Sequence, residues 1–108
     1  MSQFMVRQGD VLVTRVKTIP GGAKPKARDK NRAILAYGEV TGHAHQIADP
    51  DAVGAVLLTV AESATFLRLA RKATLVHEEH DTIDLPAGDY SVTIQREYQY
   101  GETRRVLD

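Results

Sequence analysis

The chain has 108 residues, with 14 basic and 14 acidic side chains and a formal net charge of zero. That length suits one domain with a small core, read here as residues 1–108, and a homodimer or other homo-oligomer would bury more apolar surface. Charge balance argues against a general nucleic-acid coat or a polybasic membrane binder. The lack of cysteine rules out a disulfide framework and a thiolate metal site.

No apolar run has the length of a signal-peptide core or a membrane span, so we expect a cytoplasmic protein with no membrane partner. In chain order, alternation of apolar and polar residues dominates over helical spacing. Val11 to Lys17 alternates, with Leu12, Thr14 and Val16 on one face and Val13, Arg15 and Lys17 on the other. Pro20-Gly21-Gly22 then supplies a turn. Residues 24–32 carry five basic side chains and one acidic one, with no apolar face, and read as a mobile, solvated loop. Asp49-Pro50-Asp51 breaks the chain before the run Ala55 to Val60. Thr65 to Leu69 and Ala73 to His77 predict two more strands, and Pro86-Ala87-Gly88-Asp89 another turn.

The clearest strand is Tyr90 to Tyr100. Its even positions include Tyr90, Val92, Ile94 and Tyr98, and its odd positions are all polar. Thr103 to Leu107 can pair back on it through Gly101. No helix is predicted. The chain therefore reads as all-β, a small antiparallel β-barrel or β-sandwich of about eight or nine short strands.

All four histidines fall in two clusters, Gly42-His43-Ala44-His45 and His77-Glu78-Glu79-His80. In an extended strand, residues two apart share a face and lie about 6.5–7 Å apart. His43 and His45 then point the same way. His77 continues the face of Ala73 and Leu75 and points inward. His80 joins it only if a bulge or the turn near Asp81 reorients the chain. The expected group is His43, His45 and His77, with Glu79 or His80 as fourth member.

Such a group supports two chemistries. Neutral imidazoles from His43, His45, His77 and His80 suit zinc or another divalent metal. Without a metal, two histidines flanking a phosphodiester can act as general base and general acid. A third reading makes them ordinary strand side chains.

Arg96 is out of pattern, sitting between Ile94 and Tyr98 on the apolar face. A guanidinium there needs a carboxylate, an oligomer partner or an anion. Glu39, Glu78 and Glu79 are the internal options, and phosphate is the functional one. The Tyr98 hydroxyl could orient a phosphate oxygen, while Lys24, Lys26, Arg28, Lys30 and Arg32 could cover an anion site.

The stretches Gly38-Glu39-Val40-Thr41-Gly42-His43-Ala44-His45, His77-Glu78-Glu79-His80, Gln95-Arg96-Glu97-Tyr98 and Gln8-Gly9-Asp10-Val11-Leu12 resemble a family of small bacterial and phage proteins. The resemblance covers nearly the whole chain and is carried by motifs rather than by an activity. In size and β character the chain is also similar to the small dimeric ring nucleases that degrade cyclic oligoadenylate. Cupins fit poorly, because the glutamate after the His-x-His and the later Pro-x-Gly-x-x-His pattern are missing.

The leading expectation is an enzyme that cleaves a phosphodiester in RNA or a small linear or cyclic nucleotide. His43, His45, His77 and Glu79 would do the acid–base work or hold a metal, with Arg96 and the basic loop on phosphate. The alternatives are a non-catalytic metal-binding structural protein and a sponge that binds a nucleotide unchanged.

Overall fold

A computed structural model describes residues 4–38, 42–60 and 64–95, and these contain strands and no helix. The strands are β1 Met5–Gln8, β2 Val11–Val16, β3 Lys24–Pro25, β4 Ala33–Tyr37, β5 Ala44–Ile47, β6 Ala55–Val60, β7 Ala64–Leu69, β8 Ala73–Val76, β9 Ile83–Leu85 and β10 Gly88–Ile94. They form a six-stranded sheet, ordered β1-β2-β10-β7-β6-β3, and a four-stranded sheet, ordered β4-β5-β8-β9. All pairings within them are antiparallel. The architecture is a sandwich of two sheets, not a closed barrel.

Period-two patterning explains which faces meet. Val11 and Val13 on β2, Leu67 and Leu69 on β7, Ala73 and Leu75 on β8, and Tyr90 and Val92 on β10 are buried at alternate positions. Together with Ala33, Leu35, Ile47, Leu57 and Leu85 they form one hydrophobic cluster spanning both sheets. β4 departs from alternation. Ala33 to Ala36 are all buried, and a register shift between Ile34 and Ala36 marks the bulge that permits it.

The structure describes ten strands, against the eight or nine expected. The short β3 and β9 lack the length for a periodic signal. β10 begins at Gly88, two residues before Tyr90, and Ile94 at its end is 41 % exposed. The expected continuation through Arg96, Tyr98 and Tyr100, and the pairing of Thr103 to Leu107, lie outside the described residues.

Residues 24–32 are more regular than the solvated loop expected. β3 pairs with β6, and Arg28 bonds Asp51 at 2.5 Å and the Ala55 carbonyl at 3.0 Å. Asp29 and Arg32 exchange backbone hydrogen bonds around Lys30 and Asn31, whose φ angles are +53° and +68°. Two successive positive φ values are the mark of a type I′ hairpin turn.

Three chain reversals bring the histidines to one end of the sandwich. β5 and β8 pair as Gln46 with Val76 and Ile47 with Leu75. One further step in that register sets residue 45 opposite residue 77. The β1–β2 turn, Gly9-Asp10, lies at the same end, because Gln8 reaches the Leu75 carbonyl of β8.

Candidate functional site

One pocket of about 230 Å³ is lined by Asp10, Gly38, His43, His45, His77, Glu79 and His80. All four imidazoles of the chain therefore face a single space. The ring centroids of His45 and His77 are 4.2 Å apart, those of His77 and His80 4.8 Å, those of His43 and His77 5.8 Å, and those of His45 and His80 5.9 Å.

Each ring is placed by a local feature. His45 lies on β5 and is 2 % exposed. His43 sits just before β5, where Gly38 donates to its carbonyl at 2.8 Å and closes the β4–β5 connection. β8 ends at Val76, so His77 to His80 belong to the turn into β9 and not to a strand. That turn supplies the reorientation His80 needed. Two glycines make room for the rings. A Cβ on Gly9 would lie 2.6 Å from His80 Nε2, and one on Gly38 would lie 2.9 Å from His77 Nε2. Both imidazoles thus pack where only a glycine backbone fits.

Hydrogen bonds decide what each ring can offer. The His77 Nδ1 atom accepts from the Glu79 backbone N–H at 3.0 Å. When neutral, that ring carries its proton on Nε2. His45 is the opposite case. Its Nδ1 lies 2.9 Å from Gln8 Oε1, and its Nε2 lies 3.6 Å from Asp10 Oδ1. Gln8 is 2 % exposed, and its amide nitrogen donates to the Leu75 and Asp81 carbonyls at 3.1 and 2.9 Å. Its oxygen must therefore face His45, so His45 carries a proton on Nδ1. His43 Nδ1 is buried without a hydrogen bond among the described residues. Glu79 Oε2 is 3.3 Å away, within ion-pair range but off the direction a hydrogen bond needs.

Outside the pocket, Glu78 Oε1 accepts the Ala44 N–H at 2.9 Å. That bond, then the glutamate's own N–H and the nearby His43 and His77, hold the Glu78 carboxyl below its ordinary range. One donor atom each from His43, His77 and Glu78 lie within 4.8 Å of one another, close enough for these residues to hold a metal ion.

A family model described as a domain of unknown function, DUF8820, matches residues 7–95. The chain belongs to the DUF8820 family. No curated protein and no solved structure matches it. The matched span includes every residue lining the pocket of this DUF8820 domain.

Among the residues expected from sequence, the fold gathers His43, His45, His77, His80 and Glu79 in the pocket. The basic residues Lys24, Lys26, Arg28, Lys30 and Arg32 line neither this pocket nor the adjoining groove of Ala44, Gln46, Val76, His77 and Glu78. Arg28 and Arg32 pair with Asp51 and Asp29, whereas Lys24, Lys26 and Lys30 are exposed. Arg96 and Tyr98 lie outside the described residues. Sequence reasoning missed Asp10 and Gln8. The available signal was the dipeptide Gly9-Asp10 between two strands, a hairpin turn that aims its polar residue at whatever packs across the sandwich.

No helix among the described residues is long and apolar enough to cross a membrane.

Proposed function

We propose that the pocket is the centre of a small metal-assisted hydrolase that cleaves phosphodiester bonds in RNA or a short linear or cyclic oligonucleotide. One observation carries this reading: four imidazoles and the carboxylates of Asp10 and Glu79 line one open pocket. Imidazole and carboxylate together suit a borderline divalent ion such as zinc. Such an ion polarises a phosphoryl oxygen and lowers the pKa of bound water, which supplies a nucleophile at neutral pH. The exposed Lys24, Lys26 and Lys30 support an anionic substrate by long-range attraction rather than by contact.

The tautomers favour a second, metal-free reading. His45 holds its proton on the nitrogen turned to Gln8, and His77 holds its proton on the nitrogen opposite its bond with Glu79. One neutral ring then offers an acceptor and its neighbour a donor, the complement that general base and general acid require.

The test is turnover of a panel containing single-stranded RNA, linear dinucleotides and cyclic oligoadenylate, before and after chelation and with zinc or manganese restored. Under the metal reading chelation abolishes turnover and the ion restores it. Under the metal-free reading chelation changes nothing. In both, His77→Ala lowers kcat by about 10²–10⁴-fold, the usual scale of a lost acid–base or electrostatic group. Turnover unchanged in His43→Ala and His77→Ala rejects hydrolysis at this pocket.

A further inference from the structure

Beside the histidine pocket runs a second hollow, a groove of about 250 Å³ lined by Ala44, Gln46, Val76, His77 and Glu78. No part of the proposed hydrolysis uses it. We infer that this groove is a nucleobase subsite, which seats the base next to a phosphate held in the pocket and prefers a base with an exocyclic amino group. This deepens the proposed function by naming its substrate class and rests on it, but its readout is binding before turnover.

Strand register puts the groove on the outer face of the four-stranded sheet. Gln46 pairs with Val76, and Ile47 pairs with Leu75. Ile47 and Leu75 are buried in the core, so alternation turns Gln46 and Val76 outward. His45, one step the other way from Gln46, turns inward to the pocket. Groove and pocket therefore lie on opposite faces of one strand pair. They meet where β8 ends, because His77 lines both spaces. A ligand whose charged group sits among the histidines can thus lay a neighbouring group around His77 into the groove.

The chemistry of the lining selects that group. A groove of about 250 Å³ falls below the roughly 300–1,000 Å³ of sites that enclose a drug-sized ligand, and suits one flat ring system. Ala44 and Val76 give it apolar walls, and the His77 imidazole is an aromatic ring of the kind on which bases stack. Glu78 is ionised at neutral pH, so it repels a phosphate and only accepts hydrogen bonds. Its Oε1 takes the Ala44 N–H, and the carboxylate keeps lone pairs for an incoming donor. An exocyclic amino group is such a donor. Gln46 is half-buried and carries both a donor and an acceptor, the pair that matches the amino group and ring nitrogen of adenine. Uracil has no amino group and sets a carbonyl oxygen on each side of its N3–H, where both repel the carboxylate.

The experiment uses the full chain with a chelator present, which keeps metal off the donor group of His43, His77 and Glu78, two of which line the groove. Uncharged nucleosides are the probes, so that no phosphate draws them into the pocket. Adenosine and cytidine should move the ¹H–¹⁵N signals of Ala44, Gln46 and Val76 and bind about 3–10-fold more tightly than uridine, the scale of one net hydrogen bond. Gln46→Ala should weaken adenosine binding by a similar factor. Glu78→Gln adds a donor that can meet a uracil oxygen, and should erase the preference over uridine. The nucleoside series on the native chain needs no variant, so it decides the matter even if a variant fails to fold. The inference is overturned if uridine binds as well as adenosine, if no nucleoside moves these signals at its solubility limit, or if the shifts are confined to Asp10, His45 and His80. Groove signals that move with protein concentration alone overturn it too, since a second copy of the chain then covers the groove. Groove binding with no turnover on any substrate would instead reject the hydrolase reading and leave the base subsite standing. Turnover with equal kcat/KM on adenine- and uracil-containing substrates would reject the subsite and leave the hydrolase.

Discussion

At the scale of single residues, glycine is where the pocket is most exposed to damage. Gly9 has φ +59°, and its missing side chain is filled by the His80 ring. Gly9→Ala should therefore cost about 1–2 kcal/mol from the left-handed backbone alone. It should also push His80 out of the pocket. Gly38 is also crowded by a histidine, at 2.9 Å against 2.6 Å, but has no positive φ, so Gly38→Ala shows the crowding without the strain. Urea midpoints should fall in Gly9→Ala by more than in Gly38→Ala, and equal midpoints would contradict this account. A second residue-scale expectation concerns Tyr37 and Asp29, whose side chains share a short hydrogen bond. The phenol lowers the Asp29 pKa below its ordinary 3.8, and the same bond raises that of Tyr37 above its ordinary 10.0. A depressed carboxyl stabilises the fold above its unfolded pKa and loses that contribution as pH falls through the folded value. A raised phenol contributes below its unfolded pKa and loses that contribution as pH rises through the folded value. The bond thus helps between these limits and at neither extreme. The Tm gap between the native chain and Tyr37→Phe should be widest near neutrality and close in acid as pH falls through the lowered Asp29 value. A gap that persists in acid would assign Tyr37 a packing role instead.

At the scale of elements, the turn Asp29–Arg32 gives a stabilising change. Asn31 tolerates its φ of +68°, but glycine occupies that region without a Cβ penalty. Asn31→Gly should raise stability by up to about 1 kcal/mol, seen as a Tm increase of a few degrees, with the greater freedom of glycine in the unfolded chain offsetting part of the gain. A lower Tm would mean that the Asn31 side chain contributes more than its backbone shape. This turn also shows what the sequence could and could not convey. Lys-Asn between charged residues resembles any solvated loop, and nothing local says that two strands close around it. By contrast, β2, β7, β8 and β10 were legible because each buries one face and so writes period two into its residues. The meeting of the two histidine clusters was legible for a related reason, since both lie at ends of such strands and each turn keeps its histidines close. Gln8 and Asp10 were not legible as part of the site. Gln8 acts through Leu75 and Asp81, 67 and 73 residues further along the chain, and no periodicity encodes a contact across the sandwich. A lone Gln beside Gly-Asp has the appearance of ordinary turn chemistry until β8 is laid against it.

At the scale of the whole molecule, the pocket is a seam. Gln8 and Asp10 come from the hairpin at the edge of the six-stranded sheet, whereas His45 comes from β5 and His77 to His80 follow β8 in the four-stranded sheet. Among the described residues the polar ties across this seam include the Gln8 bonds to His45, Leu75 and Asp81 and the approach of Asp10 to His45. Apolar packing around Val11, Leu67, Leu75 and Tyr90 joins the sheets as well. An ion held in the pocket between Asp10 and the histidines would join the two layers directly. Because it would bind the folded chain and find no assembled site in the unfolded one, its binding energy would appear as stability. At zinc about a hundredfold above Kd the gain is about 2.7 kcal/mol, enough to raise the Tm of a domain this size by about ten degrees or more. Location matters as much as size. Amide exchange should slow at β1, at the Gly9-Asp10 turn and at residues 77–82, where the two sheets are joined. The centre of β6, in the six-stranded sheet and away from the seam, should change only as far as global unfolding carries its exchange. Chelation should reverse both effects. Asp10→Asn should remove most of the zinc-induced Tm shift, read against the variant's own metal-free Tm. If zinc raises the Tm equally in Asp10→Asn, the ion binds without joining the sheets through this turn, and the seam is held by Gln8 and the core alone.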